Sequence, residues 1–299
     1  MNAAAAVIVV NYGSSGLLRS NLAELSAGCP SLMVVVVDCF TSLKERNQVR
    51  RMAAEHRWRA VLLDENLGFG GGVNRGAAAA IDADADVLLV LNPDAGLSVA
   101  SAERLVSAVQ REPAILVAPV IHRPDGSVWS AGMDVHLDDG SLAGWRFRDR
   151  HPGRPRREWV SGACFAVSAE MWGRVGGFDE DYFLYWEDVD LSHRFLLAGG
   201  ELRVDENAMA IHDEGGTQRP LKRGRARSEI YYYYNIRNRL LYASRTLDRP
   251  TQRRWRRASL RVGLDTLRGA GRRQLITSVA PWCAFYRGVR DGLKGRVGP

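Results

Sequence analysis

Five short apolar runs, each bounded by turn-forming residues, constrain the fold of this 299-residue chain more than any other feature. Their unbroken Val, Leu and Ile content is typical of strands buried on both faces, as in parallel sheets. Helix-like stretches separate the runs, so the pattern predicts βαβ units: an α/β fold with a mostly parallel, mixed sheet flanked by helices. The predicted strands are Ala6–Val10, Leu32–Val37, Ala60–Leu63, Val87–Leu91 and Ile115–Val120, and the predicted helices are Leu17–Gly28, Leu43–Arg57, Val73–Ile81 and Ser98–Glu112.

Charge divides the chain into two parts. Residues 219–299 contain 21 Lys and Arg but only 4 Asp and Glu, whereas the remainder contains 20 basic and 30 acidic residues. This asymmetry indicates that the two parts meet different partners. We therefore separate residues 1–218 from an Arg-rich, helical C-terminal region, residues 219–299.

The cysteines and the apolar segments indicate the cellular compartment in which the protein is expected. Four dispersed cysteines form no C-x-x-C pair, which favours reduced thiols in a cytoplasmic protein over zinc binding or a disulfide framework. The apolar N-terminus lacks a basic segment before it and is interpreted as a strand, not a signal peptide. No window offers 18 unbroken apolar residues, so we expect no membrane-spanning helix.

Polar residues follow four of the predicted strands. In open α/β sheets, ligands bind beyond the carboxyl ends of the strands. Any one of these polar groups could instead form a turn or a helix cap. Four in a row predict a polar binding site at one edge of the sheet. The segments are Asn11-Tyr12-Gly13, Asp38, Asp64-Glu65-Asn66 and Asn92-Pro93-Asp94.

A glycine cluster begins at Gly68. It does not match the dinucleotide-binding pattern G-x-G-x-x-G, because Val73 stands where the third glycine is required. No G-K-[ST] sequence is present either. The cluster permits backbone N–H groups to approach a ligand closely at a helix start.

Acids and aromatic residues alternate around residue 187. Apolar neighbours such as Tyr185 and Trp186 should raise the pKa of Glu187 and Asp188 towards that of a useful base. Alternatively, these acids favour the dipole of a helix that begins here, and both interpretations can hold together. His212 follows a predicted strand and is either structural or a ligand.

Eight motifs, in order across residues 7–218, resemble those of family-2 glycosyltransferases with the GT-A fold. The bacterial rhamnosyltransferase-like branch is the most similar. The motifs are Val9-Val10-Asn11-Tyr12, Val37-Asp38, Asn66-Leu67-Gly68-Phe69-Gly70, Leu91-Asn92-Pro93-Asp94, Trp159-Val160-Ser161-Gly162-Ala163, Gly176-Gly177-Phe178-Asp179-Glu180, Tyr185-Trp186-Glu187-Asp188-Val189-Asp190-Leu191 and His212.

This resemblance implies that residues 1–218 form a GT-A catalytic domain. Its nucleotide-sugar half is expected at about 1–120 and its acceptor half at about 121–218. The implied activity is inverting transfer of a sugar, L-rhamnose in that branch, from a dTDP- or UDP-sugar to a hydroxyl of a saccharide or lipid-linked saccharide, with Mg²⁺ or Mn²⁺. The implied residues are Asp188 as general base with Glu187 beside it; Asn11, Tyr12, Asp38, Asn66, Gly68, Asn74 and Asn92 for the nucleotide; Trp159, Ser161, Gly162 and Trp186 for the acceptor; and Asp94 and His212 for the metal.

Two departures from the family pattern leave alternatives open. Cys39-Phe40 follows Asp38 where the family usually has Asn and small residues, which leaves the donor base undecided. Asn92 fills the first position of the D-x-D-like metal motif. A degenerate, nucleotide-binding scaffold is therefore one alternative. A nucleotidyltransferase is another, although Gly13-Ser14-Ser15-Gly16 only faintly resembles its loop.

The C-terminal region combines arginine pairs around Trp255 with an apolar stripe from Leu275 to Leu293 at helical spacing. Pro281 is expected to kink or end the first half of that helix. One interpretation is a cationic surface that holds the protein at the inner face of the cell membrane. The other is a cap whose stripe packs on the catalytic domain. No nucleic-acid-binding motif is present, so we expect no nucleic-acid partner.

Overall fold

Strand and helix alternate through the first 122 residues, close to the predicted bounds. The computed structural model describes residues 4–213, 228–269 and 272–299. Helix α2 begins at a capping serine, since Ser42 Oγ accepts a hydrogen bond from the N–H of Glu45 over 3.2 Å. The elements are β1 (Ala4–Asn11), α1 (Ser15–Gly28), β2 (Leu32–Cys39), α2 (Leu43–His56), β3 (Arg59–Leu63), α3 (Gly68–Ile81), β4 (Ala85–Leu91), β5 (Ala95–Leu97), α4 (Val99–Arg111) and β6 (Ile115–His122).

Residues 123–212 form six strands and two further α-helices. They are followed by the C-terminal helices. The elements are β7 (Val128–Ser130), β8 (Met133–His136), β9 (Leu142–Gly144), β10 (Arg156–Trp159), β11 (Cys164–Ser168), α5 (Ala169–Val175), α6 (Glu187–Leu197), β12 (Glu201–His212), α7 (Glu229–Thr246), α8 (Arg249–Gly269), α9 (Arg272–Thr277) and α10 (Ala280–Leu293).

The main sheet is mixed and mostly parallel, which confirms the predicted fold class. Its strand order is β3-β2-β1-β4-β11-β6-β12-β5, with β7 paired to β6. Strands β1 to β4 run parallel to one another, and β12 is parallel to β6. Strand β11 is antiparallel to both its neighbours. A second, antiparallel sheet has the order β10-β8-β9.

Helices cover both faces of the main sheet because its strands alternate between two apolar cores. Val7 and Val9 of β1 pack with residues of α1, α2 and α4. Ile8 and Val10 point the other way and pack with residues of α3, α5 and α6. The sheet therefore lies between two layers of helices, and the loops at its strand ends are left to form a site.

The C-terminal helices share an aromatic core with the predicted acceptor half. Tyr242 of α7 and Trp255 of α8 are fully buried and pack with Trp186. Trp255 Nε1 donates to the carbonyl oxygen of Leu137 over 2.9 Å. The predicted boundary between residues 218 and 219 lies outside the described residues.

Candidate active site

Asp188 lies in the first turn of α6, half-buried and held by two backbone amides. The N–H of Gly162 donates to its Oδ2 over 3.0 Å, and the N–H of Val189 donates to its Oδ1 over 2.9 Å. Burial raises the pKa of Asp188 to about 6, and these two hydrogen bonds limit the rise. The carboxylate is therefore ionised at neutral pH and still basic enough to accept a proton.

Glu187 is the more deeply buried of the two neighbouring acids. Burial first, and then the charge of Asp188, raise the pKa of Glu187 well above its usual range. Its Oε2 is buried and has no hydrogen-bond partner among the described residues. Burial and the neighbouring carboxylate thus both favour the protonated form of Glu187. This direction agrees with the effect expected of the aromatic surroundings.

The backbone just before these acids is left-handed at three non-glycine residues. The φ angles are 63° at Phe183, 63° at Tyr185 and 74° at Trp186. Each such residue costs of order 1 to 3 kcal/mol, so the conformation persists only where the surroundings enforce it. This strained segment sets the direction in which α6 presents Asp188.

Asn238 of α7 holds this left-handed backbone in place through its side-chain amide. Its Nδ2 lies 2.9 Å from the carbonyl oxygen of Tyr182, 2.8 Å from that of Leu184 and 2.7 Å from that of Tyr185. The neighbouring Arg237 Nη2 also donates to the Tyr182 carbonyl, over 2.9 Å. Both side chains are fully buried. The C-terminal region thus shapes the segment that leads into the predicted base.

Asp94 and His212 meet across the far edge of the sheet. His212 ends β12 opposite Ala95 of β5, which brings its Nε2 to 3.1 Å from Asp94 Oδ1. The ring of Trp129 packs edge-on against the imidazole, with 4.7 Å between ring centroids. His212 Nδ1 is buried and has no hydrogen-bond partner in the described part of the chain. The structure therefore brings both predicted metal ligands together.

The turn that carries Asp94 is tied to the loop that holds Asp188. The N–H of Asn92 donates to the carbonyl oxygen of Ala163 over 2.8 Å, next to Gly162 in that loop. Asn92 Oδ1 is buried and has no partner among the residues described. One loop thus connects the predicted metal end of the site to the predicted base.

These residues fit a divalent cation that takes most of its ligands from a substrate. Among the described residues, no group of three or more His, Cys, Asp and Glu side chains could hold a metal ion. One carboxylate with one imidazole fits a cation such as Mg²⁺ or Mn²⁺ that is bound mainly through substrate phosphates.

Asp38, the residue expected to contact the nucleobase, is completely buried. Its Oδ1 accepts a hydrogen bond from Asn11 Nδ2 over 3.1 Å, and its Oδ2 accepts one from Arg46 Nε over 3.2 Å. Arg46 also donates to the Leu63 carbonyl oxygen, and its guanidinium lies 4.6 Å from the ring centroid of Phe40. The contact between Asp38 and a base stays a prediction.

Arg46 was missed by the sequence analysis, although a signal exists. Arg46 shares the buried face of α2 with Val49, Met52 and Ala53. Helical periodicity predicts an apolar residue at this position, so the arginine is the signal. Trp129 was missed as well, and its signal is an aromatic residue two positions after Ser127, which ends a polar turn.

The other residues predicted to contact the nucleotide differ in exposure and in their hydrogen bonds. Tyr12 is 52% exposed, and Asn66 Oδ1 accepts from the N–H of Gly68 over 2.9 Å. Asn74 uses its amide to hold the backbone of Phe178, with both hydrogen bonds 2.9 Å long. Direct nucleotide contact by these residues stays a prediction.

The predicted acceptor residues lie around Asp188 but are largely buried. Ser161 Oγ accepts from the N–H of Ala163 over 3.2 Å, and Gly162 holds Asp188. Trp159 Nε1 is buried without a partner in the part of the chain described. Trp186 packs against Tyr242, with 5.5 Å between ring centroids. Acceptor contact by this group stays a prediction.

Comparison with known proteins identifies the family of this chain. The sequence model of Glycosyl transferase family 2 matches residues 6–176. An N-acetylglucosaminyl-diphospho-decaprenol L-rhamnosyltransferase of Mycobacterium tuberculosis is 33% identical over 220 residues, which cover 64% of this chain and 70% of that protein. The resemblance to the bacterial rhamnosyltransferase-like branch is therefore confirmed.

Two solved structures share the fold. The mannosyltransferase PcManGT from Pyrobaculum calidifontis, in complex with GDP-Man and Mn²⁺, has a TM-score of 0.60 at 16% identity and covers 98% of this chain and 88% of its own. Residues 1–349 of S. aureus TarS, in complex with UDP-GlcNAc, have a TM-score of 0.58 at 14% identity and cover 97% and 80%. Both matches support the GT-A architecture. The chain is a glycosyltransferase that belongs to glycosyltransferase family 2.

Proposed function

We propose that this protein is an inverting glycosyltransferase that uses Asp188 as its general base. The observation that carries the proposal is a carboxylate with a raised pKa, fixed by two backbone amides at a helix N-terminus. The acceptor hydroxyl oxygen bonds to the anomeric carbon while the bond from that carbon to the diphosphate oxygen breaks on the opposite face. Asp188 takes the hydroxyl proton, and the nucleoside diphosphate leaves. A single displacement inverts the anomeric configuration.

Asp94 and His212 are proposed to bind Mg²⁺ or Mn²⁺ together with the diphosphate. When bound, the cation neutralises charge that develops on the leaving group. Support comes from the 3.1 Å contact between the two side chains and from the unpartnered Nδ1 of His212. The Mn²⁺ in the mannosyltransferase complex agrees with this chemistry.

We propose L-rhamnose, carried by dTDP or UDP, as the sugar and a lipid-linked saccharide as the acceptor. The supporting finding is the similarity to the mycobacterial protein whose name specifies an L-rhamnosyltransferase and a diphospho-decaprenol acceptor. Such an acceptor requires the protein to work at a membrane surface. Location at the inner, cytoplasmic face of the cell membrane stays a prediction from the sequence.

Thermal shift of the purified protein with a panel of nucleoside diphosphates and sugar nucleotides, with and without Mn²⁺, tests the donor site. A ligand that binds the folded state raises the unfolding midpoint. We expect a Mn²⁺-dependent shift with dTDP or UDP that is lost in Asp94→Asn. An equal shift without metal, or in Asp94→Asn, would contradict the proposed metal site.

One observation favours a second candidate, a nucleotide-binding scaffold without turnover. Asp38, which is expected to contact the nucleobase, is buried and ion-paired with Arg46. Phe40, whose ring lies against Arg46, stands where the family usually carries a small residue. Nucleotide binding without any transfer from dTDP-rhamnose or UDP-sugars to a lipid-linked acceptor would favour this candidate. Transfer with inverted configuration, measured by NMR of the product, would exclude it.

A further inference from the structure

Helix α10 buries its small residues and exposes its large apolar ones. Ala284, Gly288 and Gly292 lie on the buried face, which packs against α7. A Cβ atom on Gly288 would lie 2.8 Å from the carbonyl oxygen of Tyr233, and one on Gly292 would lie 2.9 Å from that of Arg237. The two helices therefore approach closely because glycine forms the contact.

The opposite face exposes four residues of the predicted apolar stripe, whereas Val289 is half-buried and Leu275 packs against the cluster of Tyr232 and Ala284. Val279 is 73% exposed, Tyr286 67% and Leu293 44%, and Ile276 at the end of α9 is 88% exposed. Trp282 is 40% exposed, with its Nε1 donating to the Leu275 carbonyl oxygen over 3.0 Å. A surface helix normally buries such residues. The stripe is thus not the face by which α10 packs on the rest of the chain.

Positive charge borders the stripe. Arg287 follows Tyr286 and Lys294 follows Leu293, so each lies about 100° further round the helix and both are exposed. Elsewhere on the C-terminal region, helix α8 carries four further exposed arginines: Arg253, Arg254, Arg256 and Arg257. Trp255 between them is fully buried, so the aromatic part of the stripe comes from α10 alone. An apolar strip with Trp and Tyr and a cationic border complements an anionic lipid surface.

We propose that the exposed face of α9 and α10, defined by Ile276, Val279, Trp282, Tyr286 and Leu293, docks on an anionic bilayer. The helix lies along the surface, since no helix among the described residues is long and apolar enough to cross a membrane. Helix α10 packs on α7, whose Asn238 holds the segment before Asp188. Docking would therefore hold the helix pair that positions the proposed base at the bilayer. Only this last link rests on the proposed function.

Sedimentation of the full chain with vesicles tests the docking face. We expect binding to vesicles of phosphatidylglycerol and phosphatidylcholine at low salt, and binding about tenfold weaker to phosphatidylcholine alone or at about 0.5 M salt. Tyr286→Asp combined with Val279→Asp should weaken binding to the anionic vesicles by about tenfold or more. Leu197→Asp is the matched control, because Leu197 is 75% exposed on α6, away from this face, and it should bind like the unaltered chain.

Three results would overturn the proposal. Equal binding by the double variant and the unaltered chain would exclude this face, and equal binding to neutral and anionic vesicles would exclude the electrostatic part. Failure to bind vesicles, with a dimer in sedimentation velocity that the double variant abolishes, would assign the face to a second copy of the chain. The nucleotide-dependent thermal shift of the double variant should be unchanged, so failure of docking and failure of the proposed function can be told apart.

Discussion

The side-chain nitrogen of Asn238 lies 2.7 Å from the carbonyl oxygen of Tyr185, three residues before Asp188. One buried amide in the C-terminal region thus fixes a left-handed backbone in the segment before α6. The segment it holds determines where the predicted base points, so the effect of removing this amide should appear in catalysis as well as in stability.

Asn238→Ala removes the donor to three carbonyl groups. We expect kcat to fall by about tenfold or more, because a base displaced by about 1 Å loses its geometry, while the KM for the sugar nucleotide changes little. Unfolding in urea should show a loss of about 1 to 3 kcal/mol. Asn235→Ala is the matched control, since Asn235 donates to the Tyr231 carbonyl within the same helix. Equal losses of kcat in both variants would contradict a positioning role.

Asp188→Asn tests the base directly. Transfer should fall by about 10² to 10⁴-fold, the usual contribution of general base catalysis, with the nucleotide thermal shift retained. The free energy of unfolding at pH 7.5 should change by no more than about 2 kcal/mol, because the removal of a buried charge is offset by the loss of one backbone hydrogen bond that the amide nitrogen of Asn cannot accept. Glu170→Gln, on the exposed surface of α5, is the control and should alter neither property. Retained transfer by Asp188→Asn would exclude Asp188 as the base.

The pH dependence follows from the raised pKa of Asp188, about 6. Ionised Asp188 is the active form, so kcat/KM should rise with pH and level off above about 7. The sign for stability is opposite. The folded-state pKa exceeds the ordinary value of about 3.9, so the contribution of Asp188 becomes destabilising as pH rises from about 4 to 6. Urea unfolding across this range should show the stability of the unaltered chain falling relative to that of Asp188→Asn as the pH rises. A profile of kcat/KM that stays flat down to about pH 5 would contradict this assignment.

The ion pair between Arg46 and Asp38 should stabilise the fold in addition to lining the predicted nucleobase pocket. Arg46→Met leaves Asp38 buried without its cationic partner, which should cost about 3 to 5 kcal/mol of unfolding free energy. Adding Asp38→Asn should recover part of that loss, since the uncompensated charge is removed. A double-mutant cycle by urea unfolding measures this coupling. Strictly additive effects would show that the two side chains act independently.

Two helix glycines should respond oppositely to alanine. A Cβ on Gly76 would lie 2.5 Å from Ile8 Cγ2 and 2.9 Å from Val37 Cγ2, so Gly76→Ala should destabilise the fold by about 1 to 3 kcal/mol. A Cβ on Gly173 in α5 would have no described atom within 4 Å, and Gly173→Ala should stabilise by up to about 1 kcal/mol. Thermal unfolding of both variants checks the pair. Tolerance of Gly76→Ala would mean that α3 can move away from the sheet.

The first half of the fold is well predicted from sequence because its signals are local. Every predicted strand there lies within an observed one, since an apolar run that must be buried on both faces can only be a central strand or a buried helix. Helix α3 begins at Gly68, five residues before the predicted start, because its glycines are buried against the sheet and Phe183 and not left in a loop. Propensity underestimates helices whose glycines are needed for close packing.

Local patterns along the chain were sufficient to predict the α/β class, the polar residues at the strand ends and the acids beside the aromatic segment. Which of these residues meet depends on the tertiary structure. Asp94 and His212 come together through the pairing of β5 with β12, and Asn238 reaches Tyr185 from a helix that the motifs do not include. The stripe on α10 was visible as a pattern, but its exposure depends on the glycines of the opposite face fitting against α7. Periodicity records the faces of one element, whereas contacts between distant elements depend on register and packing, which no local pattern encodes.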